Sequence, residues 1–157
     1  MVAPDYYWIR KKSKELRHIF HILIADKNRH VREFLRRELI GEGYAVRLAG
    51  DGNELLRILD EDKTLDLLIV DPDVWPEGVV ELVKRLQARW PGLPAVAHTF
   101  VTEAMDRPGL KGAFAALIEK SGNPSSLKAA VGEVLRRAYP DHFVLAGRSR
   151  PEDGRRP

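Results

Sequence analysis

Four short stretches of the chain run apolar and end in a polar residue. Leu67-Leu68-Ile69-Val70 meets Asp71, and His21-Ile22-Leu23-Ile24-Ala25 meets Asp26. Pro94-Ala95-Val96-Ala97-His98 meets Thr99, and Ala115-Ala116-Leu117-Ile118-Glu119 meets Lys120. Apolar runs of this length read as strands buried on both faces. Between them the period changes. Val31, Phe34, Leu35 and Leu39 recur at helical spacing and predict a helix over about 28–40. Asn28 suits its N-cap, and Gly41-Glu42-Gly43 supplies the stop. A strand over 44–49 follows, and its interior Arg47 marks an edge strand with one wet face. Asp51-Gly52-Asn53 turns into a helix over 53–60 carrying Leu55, Leu56, Ile58 and Leu59. After the strand at 66–70 comes a rigid loop from Pro72 to Pro76, then a helix over 79–89. Trp90-Pro91-Gly92-Leu93-Pro94 ends that helix and admits a strand over 94–98. Thr102 caps a short helix through Met105, which Pro108-Gly109 cuts off. A fifth strand spans 113–119. Pro124 then opens a last helix, striped by Leu127, Val131, Val134 and Leu135 as far as Tyr139.

Five strands alternating with helices predict an α/β fold built on a doubly wound parallel sheet. With the second strand at an edge, the flavodoxin-like (βα)5 order 2-1-3-4-5 fits, with right-handed crossovers. In such a sheet the carboxyl ends of the strands share one edge, where ligands bind. Asp26, Asp71, Thr99 and Lys120 are therefore expected to converge.

Length and charge place this domain within the chain. At 157 residues and 44% hydrophobic composition, one domain with a full core is expected. Residues 1–20 carry five basic side chains against two acidic ones, and 140–157 carry four against three. The 21–139 segment between holds 17 basic and 18 acidic residues, so the basic character sits in the tails. A nucleic-acid-binding core should show a basic face on the fold itself, which argues against nucleic acid as a partner. The tripartite division is thus a basic extension (1–20), a domain (21–139) and a tail (140–157). Residues 5–18 suggest a weakly amphipathic basic helix that packs on the domain, packs on a second copy in a homodimer, or stays solvated. The tail is expected to be disordered beyond about Gly147, with Phe143-Val144-Leu145 folding back. No apolar run approaches the ~20 residues of a membrane span, and no signal-peptide pattern is present. The absence of cysteine excludes disulfides and thiolate sites without fixing the compartment, and with no export signal the cytoplasm is the expected one.

The usual cofactor and hydrolase motifs are missing. There is no GxGxxG, GxxxxGK[ST], HExxH or GxSxG. His18, His21, His30, His98 and His142 lack metal-ligand spacing and read as surface or core histidines. Trp75 and Trp90 read as packing residues. What remains is the strand-end cluster. An aspartate can accept a phosphoryl group and hold it as a labile mixed anhydride. That chemistry needs an exposed carboxylate, a cation to neutralise phosphate charge, and hydroxyl or ammonium donors. Asp26, Asp71, Thr99 and Lys120 supply these types. Each also has a plainer role open to it: Asp71 as a turn cap before Pro72, Asp26 as a helix cap, Thr99 as a strand former, Lys120 as a surface lysine.

Over about residues 21–138 the sequence resembles the CheY-like receiver domain of two-component response regulators. The resemblance lies in Ile22-Leu23-Ile24-Ala25-Asp26, Val31-Arg32-Glu33-Phe34-Leu35, Asp66-Leu67-Leu68-Ile69-Val70-Asp71, Leu93-Pro94 with Thr99, and Glu119-Lys120. It implies a signalling module rather than an enzyme, with Asp71 as phosphoacceptor and Asp26 as first acid of a Mg2+ pocket. It implies Thr99 as the hydroxyl that contacts the phosphoryl group and relays the switch, and Lys120 as the lysine that pairs with the acids. The implied donor is a histidine kinase or phosphotransfer protein. The implied output is contact with another protein, from a stand-alone receiver in a phosphorelay.

Several positions depart from the family pattern. Lys27 stands where the family has a second acid that touches the metal, so Mg2+ binding is expected to be weak or absent. Lys27 is expected to take over part of the cation's work by pairing with Asp71 or Asp26. Asp73 is the alternative source of a carboxylate or backbone carbonyl for the metal. Ser121 replaces a proline, Phe100 a small residue and Leu117 an aromatic, all on the face receivers use for output. Two further functions follow from these departures and from the tails. One is a pseudo-receiver that acts as a phosphorylation-independent interaction module. The other is a nucleic-acid adaptor working through the basic tails.

Overall fold

A computed structural model describes residues 19–100, 110 and 112–142. The basic extension expected at 5–18, the short helix at 102–105 and the tail beyond 142 lie outside the described residues. Within them the chain alternates as its pattern predicts: β1 (His21–Ala25), α1 (Arg29–Gly41), β2 (Ala45–Ala49), α2 (Gly52–Glu61) and β3 (Leu67–Val70). A 3-10 turn (Pro72–Val74), α3 (Val79–Arg89), β4 (Ala95–Thr99), β5 (Ala116–Glu119) and α4 (Ser125–Ala138) complete the order. The five strands form one sheet in the order β2-β1-β3-β4-β5, every pair parallel.

Alternation along the strands divides the core into two layers. Ile22, Ile24, Leu67, Ile69 and Val96 face α1 and α4, against Leu35, Leu39, Leu127, Val131 and Leu135. Leu23, Ala25, Leu68 and Val70 face α2 and α3, against Leu55, Ile58, Leu59, Leu82 and Leu86. All four residues of β3 are buried, as a central parallel strand requires. Burying each such side chain contributes roughly 1.5–3 kcal/mol. Edge strand β2 exposes Arg47, which reaches Asp62 at 3.2 Å. Lys128 near the start of α4 bridges Glu38 at 2.8 Å and Glu42 at 3.3 Å near the end of α1, tying together the two helices of one layer.

Two boundaries differ from the pattern with consequences. β5 starts at Ala116 rather than 113, because the Ala113 N–H turns back onto the Leu110 carbonyl at 3.0 Å. β4 includes Thr99 as its last residue, so Thr99 is paired opposite Glu119 rather than placed just beyond the strand. Caps follow the sequence more closely. The Asn28 side chain accepts from the His30 and Val31 N–H groups, and Asp51 accepts from Glu54.

Gly52, the first residue of α2, sits against the Trp75 indole. A Cβ there would lie 2.8 Å from Trp75 Cε3 and 2.9 Å from the Val74 carbonyl oxygen. Alanine is normally the better helix residue, but here overpacking dominates. Gly52→Ala is expected to destabilise the fold by about 1–3 kcal/mol. Urea denaturation checks this, and a stabilised variant would show that Trp75 is free to move aside.

Candidate functional site

The sheet register brings the site together. Ala25 pairs with Val70, and Val70 with Ala97, so Asp26 and Asp71 follow side by side at the carboxyl edge. The ladder continues into them. The Asp71 N–H donates to the Ala25 carbonyl at 2.9 Å, and the Lys120 N–H to the Thr99 carbonyl at 2.9 Å. By parity Asp26 shares a face with Ile24, Asp71 with Ile69 and Lys120 with Ile118. All three side chains therefore emerge on the α1/α4 layer.

There the Lys120 ammonium stands 2.6 Å from Asp26 Oδ2 and 2.6 Å from Asp71 Oδ2. The three side chains are 7%, 4% and 9% exposed, so this is a buried ion cluster rather than a surface pair. Asp26 Oδ1 accepts from the Asn28 N–H at 2.8 Å, and Asp71 Oδ1 from the Asp73 N–H at 2.9 Å. Asp26 Oδ2 has no hydrogen bond of good angular geometry, so its contact with Lys120 is held by charge and distance. Burial alone would lower the Lys120 pKa, but the contacts and charges of the two aspartates outweigh it and hold the ammonium above its ordinary range.

Other expected participants lie differently. Lys27 is exposed, and among the described residues no ion pair joins it to Asp26 or Asp71. The expected substitution of Lys27 for the cation is thus corrected: among the described residues it is Lys120 that bridges the two acids. The residue after Asp26 leaves the sheet into the loop, and Arg32 holds that loop instead. Its Nη1 donates to the carbonyls of Asp26 at 2.7 Å and Lys27 at 3.1 Å. Asp73 is exposed and brings its backbone, not its carboxylate, to the cluster. Thr99 is buried at the end of β4, on the opposite face from its neighbour His98.

His98 is a residue the sequence pattern did not single out. It shares the Val96 face and pairs opposite Ile118, one step before Lys120 on that face. It is 6% exposed, and its Nδ1 makes no hydrogen bond among the described residues. Burial lowers its pKa, the Lys120 charge lowers it further, and the two aspartates only partly oppose this. The imidazole is therefore neutral beneath the ion cluster. Strand parity was the signal available for it, since 96 and 98 must share a face.

Two carboxylates and no third acidic, histidine or cysteine ligand converge among the described residues. Such a set suits a hard cation that keeps most of its shell as water and phosphoryl oxygen, which is how Mg2+ is commonly bound. Asp26 Oδ2, buried without a hydrogen bond, is a donor atom fitted to such an ion. No helix among the described residues is long and apolar enough to cross a membrane.

Comparison with known proteins agrees with this geometry. Residues 22–132 match the family model of the response regulator receiver domain. Response regulator MprA of Mycobacterium leprae is 33% identical over 121 residues, which is 76% of this chain and 53% of that protein. The chain thus spans about half the length of the curated relatives it matches. The response regulator TrrA of Thermotoga maritima, solved in complex with Mg(2+)-BeF, superposes with a TM-score of 0.67 at 24% identity. That match covers 73% of this chain and 98% of TrrA. Chemotaxis response regulator CheY4 of Vibrio cholerae gives 0.66 at 23% identity, over 74% of this chain and 98% of that one.

Two outcomes follow from the cluster. Lys120→Met leaves two buried carboxylates without a cation and is expected to cost about 3–5 kcal/mol in chemical denaturation. His98 has a folded pKa below its ordinary value of 6.5, so below that pH the unfolded state binds the extra proton. Stability should fall as pH drops below 6.5 toward the folded pKa, by at most roughly 1.4 kcal/mol per pH unit from this group. His98→Leu should flatten that acid limb between pH 7 and 5. An unchanged slope would exclude His98 as its source.

Proposed function

The chain belongs to the response regulator receiver family of two-component signalling, and from that premise we propose that Asp71 accepts a phosphoryl group from a histidine kinase or phosphotransfer protein. The observation that carries this is the Lys120 ammonium held 2.6 Å from Oδ2 of Asp71 at the carboxyl end of the buried central strand. Asp71 Oδ2 attacks the phosphorus of a phosphohistidine. The O–P bond forms, the P–N bond breaks, and its electron pair returns to the donor imidazole, which takes up a proton. Lys120 then trades a carboxylate oxygen for a phosphoryl oxygen, keeping its charge compensated. Thr99 ends the adjacent strand on the opposite face, and its hydroxyl would reach the same group only from the α2/α3 side of the sheet edge.

Asp26 and Asp71, with the backbone carbonyl of Asp73, are the residues that would hold Mg2+. That ion would neutralise charge on the transferring phosphoryl oxygens. With two carboxylates in the set and Lys120 already lying between them, affinity is weaker than a three-acid pocket would give. TrrA was solved with Mg(2+)-BeF, and its likeness to this chain supports the same ligand chemistry here. The output is contact with a protein partner. The competing function is a phosphorylation-independent interaction module, which the closed Asp26–Lys120–Asp71 cluster suits because Lys120 already bridges both acids without any added ion.

An NMR spectrum in Mg2+, before and after addition of beryllofluoride, separates the two. Shifts around Asp71, Thr99 and Lys120 are expected, and they should vanish in Asp71→Asn. A folded protein whose spectrum does not change would make the interaction module the function.

A further inference from the structure

The loop after β1 carries Asp26, and it is fastened from outside the pocket. Arg32, one turn into α1, sends Nη1 back to the Asp26 carbonyl at 2.7 Å and the Lys27 carbonyl at 3.1 Å. The same guanidinium lies over Gly50, in the loop after β2. A Cβ on Gly50 would stand 3.2 Å from Nη1 and 3.4 Å from Cζ, so the missing side chain makes the room. Gly50 is tied in turn to α2, its N–H donating to Glu54 Oε2 at 2.9 Å. The Asp26 N–H meets the Ala49 carbonyl at 3.1 Å. Arg32 is thus wedged between two loops of the carboxyl edge.

Stability alone does not account for a cation there. Arg32 is half-buried, and among the described residues it pairs with no carboxylate. It also sits near the positive end of the α1 dipole, where a cation is unfavourable, and the first turn holds no acid to compensate. What the position does supply is a charged donor for two carbonyls, which makes stronger bonds than a neutral one. Lys27 gives this loop no second acid, so a metal ion would hold it through Asp26 alone.

We propose that Arg32 is a positioning residue of the pocket. It clamps the Asp26 and Lys27 carbonyls against the β2–α2 loop and so sets the Asp26 carboxylate before any metal ion arrives. The inference rests on the Mg2+ pocket above, in which Asp26 is a ligand. Two effects of Arg32 on Mg2+ then have opposite signs. The clamp raises affinity, and the guanidinium charge lowers it.

Three variants separate them. Arg32→Met removes charge and donors, Arg32→Lys keeps both in part, and Gly50→Ala presses on the guanidinium from the far side. Mg2+ is titrated into each, and the Asn28 and Asp73 amides, which bond the two aspartates, are followed by NMR. Affinity for Mg2+ should fall about tenfold in Arg32→Met, the scale for losing an outer partner of a metal ligand, and less in Arg32→Lys. Without Mg2+, the Asn28 amide should lose its hydrogen-bonded shift in Arg32→Met and keep it in Arg32→Lys. A merely stabilising contact would lower the urea midpoint and move neither reading. An unmoved Asn28 amide, or a Mg2+ affinity that stays level or rises in Arg32→Met, would overturn the role. Should Arg32→Met not fold, Gly50→Ala decides by the same two readings. An Asn28 shift lost in Arg32→Met, with no Mg2+ bound even by the wild type, would leave the positioning role standing and remove the metal pocket.

Discussion

A single ammonium holds two buried carboxylates apart at the edge of the sheet, 2.6 Å from each. Two like charges that share one cation repel each other, and the ammonium between them offsets that repulsion. Desolvating three charges is expensive, and the mutual attraction offsets that cost only where geometry is good and the remaining lone pairs are satisfied. This chain meets that condition with backbone. The Asn28 and Asp73 N–H groups take the outer oxygens of the two aspartates. Arg32 clamps the carbonyls that follow β1, which keeps Asp26 from swinging out with its loop. The fold beneath can be understood as what brings these groups to one edge.

That edge is also where apolar packing gives way to buried charge. A hydrophobic replacement of the cluster would pack without desolvated charge, and the layer below already shows the cost. His98 occupies a strand position whose neighbours on the same face, Val96 and Ile118, are apolar. Burial and the Lys120 charge keep it neutral. A neutral imidazole can sit under the ammonium without repelling it, whereas a charged one would compete for the same carboxylates. The polarity of the pocket thus extends one layer deeper than the ion cluster.

Much of this was legible in the chain. The apolar runs and helical stripes predicted each described strand and helix to within three residues, and the strand order with them. They did so because a parallel sheet covered on both faces demands continuous apolar strands. Asp26, Asp71 and Lys120 were legible for the same reason: a polar residue directly after a buried strand can only lie at the carboxyl edge. Lys27 was misjudged. Its charge is right for the task, but it lies one residue past Asp26, where the chain turns into the α1 cap and the side chain faces solvent. Lys120 reaches both acids because it extends the strand alternation of Ile118 onto their face. The fifth strand was drawn too long because Ala113-Phe114-Ala115 is as apolar as a strand, while the Ala113 N–H turns back to Leu110 and the first bond to β4 is made only by the Ala115 N–H, to the Ala95 carbonyl.

What the sequence by itself determined was the alternation of elements, the topology, and the identity of the two acids and the lysine. These rest on periodicity and on chemistry local to each strand end. Only the tertiary structure decided which cation the acids share and that His98 lies beneath it. Those facts depend on register between strands far apart in the chain, Val70 against Ala97 and His98 against Ile118. A shift of one residue in either pairing would turn the same side chains to the opposite face.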